Sequence, residues 1–96
     1  MATSLRKTAD ASSNLRVQNT VAEQTAKASG GVLHRVVATN LNAAAQTITI
    51  KDGNTTLVVL KLAANESKPF EFRCAFSTSL KITNSAVEVD ALVIFD

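Results

Sequence analysis

The chain has no tryptophan and no tyrosine, and phenylalanine, at four positions, is its only aromatic residue. Without aromatic platforms there is little on which a base or a sugar ring could stack. A single cysteine, Cys74, cannot form an internal disulfide, and the opening MATSLRKTAD lacks the apolar stretch of a secretory signal. The expectation is synthesis in a reducing cytoplasm without secretion. One cysteine and one histidine also leave no His/Cys cluster for a metal and little material for a catalytic triad. The three glycines, Gly30, Gly31 and Gly53, do not make a phosphate-cradling loop. Neither sign of charge dominates: ten Lys and Arg against eight Asp and Glu give a net charge of +2, too weak a field for a dedicated nucleic-acid or membrane-surface protein. The longest apolar run, Leu57–Leu60, ends at Lys61, far short of the roughly 18 residues needed to cross a bilayer. These absences predict a soluble, cofactor-free, non-enzymatic structural or binding module.

What is present divides at Gly30-Gly31. Residues 1–31 are rich in Ala, Ser, Thr, Asn and Gln, and their larger apolar side chains (Met1, Leu5, Leu15, Val17 and Val21) stand apart among polar neighbours. Such a segment buries little by itself. It carries Arg6, Lys7, Arg16 and Lys27 against Asp10 and Glu23, so the whole excess of positive charge lies here. An extended N-terminal arm over 1–31 is predicted, with the glycine pair as a hinge or sharp turn between arm and domain. Its basic residues are too scattered to be a nucleic-acid arm and read as solvated or partner-facing.

From residue 32 the pattern has period two. VLHRVVAT (32–39) reads as a buried strand, and QTITIK (46–51) alternates with Ile48 and Ile50 on one face. Asp52-Gly53-Asn54 then supplies a turn, and TTLVVLKL (55–62) returns as the second strand of a hairpin. After the connection 63–67, Pro69 opens the run FEFRC (70–74), in which Phe70 and Phe72, with Phe76 beyond them, face the core. LKIT (80–83) and VEVDALVIF (87–95) complete six strands around the turn Asn84-Ser85-Ala86. Short strands without helical periodicity between them predict an all-β antiparallel sandwich or small barrel over 32–96. A body of this size buries roughly 60% of its unfolded surface and is marginal alone. Its edge strands also need cover. Both deficits predict assembly with copies of itself or with a partner.

Individual residues offer little chemistry. His34 lies within a strand with no second ligand nearby and reads as a structural or interface residue. Cys74 alternates with Phe70 and Phe72 and reads as a small core residue. Asp52-Gly53-Asn54 has a fragment of calcium-loop spacing but lacks the remaining oxygen ligands and the closing Glu, so a hairpin turn is the better reading. Asn54-Thr55-Thr56 and Asn65-Glu66-Ser67 match glycosylation acceptors, but without a secretion signal they are chance matches.

The opening LHRVV, the TITIKDG hairpin, the F-x-F strand followed by FSTSLKIT, and the closing V-x-V-x-A-L-V-I-F together cover about two thirds of the chain. In these features the sequence resembles small β-sandwich proteins of tailed-bacteriophage virions. The resemblance implies a structural component located in the virion: a decoration (cement) protein on the capsid shell, or alternatively a tail or fibre part that binds a receptor or glycan. It further implies the major capsid protein as partner and a homo-oligomeric body, a trimer being favoured. Roughly 30 residues at about 3.3 Å each allow an arm to reach about 100 Å. Under this reading Leu5, Arg6, Lys7, Leu15, Arg16, Val17 and Val21 are the arm's anchors on neighbouring subunits. The apolar runs 57–62 and 91–95 cannot both be satisfied on two faces by one core, so Val58, Leu60, Leu92 and Ile94 are expected at an oligomer interface.

Overall fold

A computed structural model describes residues 13–96. Within that span there are eight strands: β1 Ser13–Val17, β2 Gln24–Lys27, β3 Gly31–Asn40, β4 Gln46–Asp52, β5 Thr55–Leu62, β6 Ser67–Phe76, β7 Leu80–Asn84 and β8 Val89–Phe95. They form two antiparallel four-stranded sheets, ordered β1-β8-β3-β6 and β2-β7-β4-β5, packed face to face. The expected all-β class and two-sheet packing are present, with eight strands where six were expected.

Alternation explains the core. In β4, Ile48 and Ile50 turn inward and the intervening threonines outward; β7 contributes Leu80 and Ile82, β5 Leu60 and Leu62, β3 Leu33, Val36 and Ala38, and β8 Val89, Ala91, Val93 and Phe95. Phe76 is buried, and Phe70, Phe72 and Cys74 pack half-buried against the same cluster. The β4–β5 hairpin turns at Gly53, whose φ of 59° is the left-handed conformation that glycine adopts without steric cost.

The two additional strands lie in the segment expected to be an extended arm. β1 pairs along β8 from Ser13↔Phe95 to Val17↔Ala91, and β2 pairs with β7 from Gln24↔Ile82 to Lys27↔Leu80. Residues 13–17 and 24–27 are therefore edge strands of this chain's own sheets and do not run out over other subunits. The physical reason is local: Leu15 and Val17 are two apart with Arg16 between them, which is sufficient for a short edge strand with one inward face. The glycine pair falls at the sharp turn that leads from β2 into β3. A Cβ on Gly31 would lie 2.0 Å from the Asp96 carbonyl oxygen, and one on Gly30 would lie 3.0 Å from that of Phe76, so the pair lets β3 start in close contact with its neighbours.

Two buried asparagines close one end of the sandwich. Asn40 donates through Nδ2 to the carbonyls of Ala44 (3.1 Å) and Ala63 (3.0 Å) and accepts from the Asn42 amide at 2.9 Å. Asn84 donates to the carbonyls of Val17 and Val89, both at 3.0 Å, tying β7 to the end of β1 and the start of β8. Thus β1 is held to both sheets.

Candidate interaction surfaces

The outer face of the β1-β8-β3-β6 sheet is built from the residues that alternate away from the core. The register places Arg16, Leu92, Val37 and Pro69 in one row across the four strands, and Asn14, Ile94, Arg35 and Glu71 in the next. Leu92, Ile94 and Val37 are half-buried by their neighbours. The result is an apolar stripe down the middle of the sheet, bounded by ion pairs. Arg16 grips Asp90 with two nitrogens, Nε at 3.0 Å and Nη2 at 2.6 Å from Oδ2, and this hydrogen-bonded pair raises the Arg16 pKa above its ordinary value. On the other flank Arg35 pairs with Glu71. Two ion pairs thus flank the stripe, while Arg73 of β6, exposed on the same face, has no ion-pair partner among the described residues.

The opposite outer face differs. On β2-β7-β4-β5 it presents Thr25, Thr47, Thr49 and Thr83 with Lys51, Lys61 and Lys81, and Glu23 lies 3.8 Å from Lys81. Lys51 stands directly across from Lys81. A hydroxyl- and ammonium-bearing surface of this kind is well solvated.

A shallow cleft of about 270 Å³ lies at one end, lined by Gln18, Asn19, Leu41, Val87, Glu88 and Asp90 among others. Leu41 and Val87 are exposed, but the carboxylates already have partners: Asp90 holds Arg16, and Glu88 accepts from Asn42 Nδ2 at 2.9 Å. Among the described residues, no group of three His, Cys, Asp or Glu side chains could hold a metal ion.

At the other end Asp52 organises the loops. Its carboxylate accepts the amides of Ser77 (2.9 Å), Thr78 (2.8 Å) and Ser79 (3.3 Å) as well as the Ser77 hydroxyl, which joins the β4–β5 turn to the β6–β7 turn. These donors, the Ser77 amide foremost, hold the Asp52 pKa below the usual carboxylate range. The Asp-Gly-Asn sequence is thus a turn with a structural carboxylate. His34 Nε2 lies 3.2 Å from the Asp96 carboxylate at the surface, on the far side of β3 from the hairpin.

The residues expected to contact partners scatter. Leu5, Arg6 and Lys7 lie outside the described residues. Val17 is 1% exposed, sealed in this chain's own core, Leu15 packs half-buried against that core, and Arg16 is paired with Asp90. Of the described arm anchors only Val21 is an exposed apolar side chain. Leu60, expected at an oligomer interface, is 4% exposed because it points between the sheets. Val58 lies on β5 at the edge of one sheet, whereas Leu92 and Ile94 lie on the outer face of the other, so one contact patch cannot contain all three. Val37 and Pro69, which complete the apolar stripe, were not among the residues expected at an interface; the cross-strand register sets Val37 beside Leu92 and Pro69 beside Val37. The chain matches no protein-family model and no curated protein.

Proposed function

We propose that this chain is a non-enzymatic structural protein of a tailed-phage virion, a decoration protein that docks on the major capsid protein through the outer face of its β1-β8-β3-β6 sheet. The observation that carries this reading is the stripe of Leu92, Val37, Pro69 and Ile94, flanked by the ion pairs Arg16–Asp90 and Arg35–Glu71. An apolar centre with a polar rim is the anatomy of a protein-binding patch. The resemblance of residues 32–96 to phage β-sandwich proteins supplies the setting. Mechanically, a body that buries surface on two capsid subunits at once stabilises the joint between them by mass action. Repetition over a symmetric shell multiplies the effect of each weak contact.

Co-sedimentation of the purified chain with empty phage shells tests this directly. Saturable binding is expected. Absence of shell binding, together with binding to host-surface material, would instead support the tail or fibre role.

A further inference from the structure

We propose that two copies of this chain join edge to edge through β5, the strands running antiparallel about a two-fold axis and centred on Leu60. This deepens the reading that the body assembles with copies of itself, and it does not depend on the capsid.

The four sheet edges are unequally guarded. β1 and β2 are only five and four residues long, and the β2 pairing is broken by a register shift. β6 is long but carries Pro69, which has no amide hydrogen, the charges Lys68, Glu71 and Arg73, and a register irregularity opposite β3. Short length, proline, charge and bulges are the devices by which edges are kept from pairing. β5 has almost none of them. Its sequence TTLVVLKL holds eight residues with one charge and no proline, and it pairs on one side only, with β4. Its ladder shifts between Ile50 and Lys51, after which Val58–Leu62 runs in unbroken register with Ile50–Gln46. A regular five-residue stretch therefore presents a free row of backbone donors and acceptors.

The same side of the sandwich is where the core is least covered. β6 and β5 are the matching edges of the two layers, and Leu57, Val58, Phe70, Phe72 and Cys74, all from these two strands, are only partly buried against the core. Val59 stands on the outer face of this edge strand, opposite Thr49, and is 45% exposed.

A second copy fits this edge by its own symmetry. Pairing centred on Leu60 uses all of the regular stretch and none of the irregular part: Val58 faces Leu62 of the other copy, Leu60 faces Leu60, and Val59 faces Lys61. The side-chain period of two is respected, so inward residues meet inward residues and the joined sheet keeps a single apolar face. The strand's one charge never meets its twin, and each Val59 lies along the alkyl stem of a lysine. The product is a continuous eight-stranded sheet that buries both unguarded edges. Because a two-fold contact closes after two copies, it builds a dimer and not the favoured trimer.

The test is the mass in solution by light scattering after size exclusion, for the wild-type chain and for Val59→Lys, which sets ammonium groups opposite each other twice across the axis. The wild type is expected at twice 10.1 kDa and the variant at the monomer mass, with an unchanged circular-dichroism spectrum. A wild-type chain that stays monomeric at high micromolar concentration overturns both the dimer and the self-assembly reading. An unshifted oligomer in a folded Val59→Lys overturns the β5 contact alone and leaves self-assembly standing. Should that variant not fold, amide exchange of the wild type decides: protection of Val58–Leu62 that grows with protein concentration supports the pairing, and concentration-independent exchange there refutes it.

Discussion

A few polar side chains set the geometry at both ends of the sandwich. Asp52 is an acceptor for three successive backbone amides, a role its neutral form fills poorly, so the group's depressed pKa is a statement about stability. The sign follows: a carboxylate whose pKa is lowered by folding stabilises the fold above its unfolded pKa of about 3.9 and loses that contribution as pH falls through the folded value. Asp52→Ala is therefore expected to lower the melting temperature at pH 7 and to differ much less from the wild type near pH 2. Thermal denaturation across that range checks it; an equal deficit at both pH values would contradict the carboxylate's role. Asn40 serves the opposite end without titrating. Replacing it with alanine leaves the carbonyls of Ala44 and Ala63 without their donor and is expected to cost about 2–3 kcal/mol in chemical denaturation. None of this was legible beforehand, because Asn40 and Asp52 have the look of ordinary strand-end and turn residues and only three-dimensional proximity gives them their partners.

At the scale of elements, the strands with strong alternation were legible and the weak ones were not. β4 and β5 appear in QTITIKDGNTTLVVLKL because Ile48 and Ile50 alternate with threonine and the turn contains glycine. β8 begins at Val89 instead of at Val87, since Val87 and Glu88 belong to the exposed loop before it. β1 and β2 were hidden: an edge strand needs few inward residues, and SNLRV and QTAK supply only Leu15, Val17 and Ala26. Their place in the sheets changes what a truncation does. Removing residues 1–29 would take away both edge strands, expose the flank of β8 and leave Asn84 without the Val17 carbonyl. That truncation is expected to be strongly destabilised or unfolded. Equal melting temperatures for the full chain and the chain lacking 1–29 would show that β1 and β2 contribute nothing to the body.

For the whole molecule, two surfaces of different chemistry stand back to back: an apolar stripe with paired charges on one sheet, and threonines with lysines on the other. Composition alone predicts a body in need of a partner, since some 65 residues without a disulfide or a large aromatic core make a marginal domain. It does not settle which of the expected interface residues turn outward: the register sets Leu92 and Ile94 on the outer face, whereas Leu60 points between the sheets. The β5 edge and the Leu92 stripe lie on separate surfaces, so self-assembly and docking can proceed together and can be broken separately.

Docking through the outer face is the central claim, and the Leu92→Asp variant in the shell co-sedimentation experiment tests it most directly. The carboxylate would sit in the middle of the stripe, beside Val37, where docking excludes water. The account predicts at least a tenfold loss of shell affinity, about 1.4 kcal/mol or more, with the melting temperature and the mass in solution unchanged. Wild-type affinity for shells in the folded variant would contradict it.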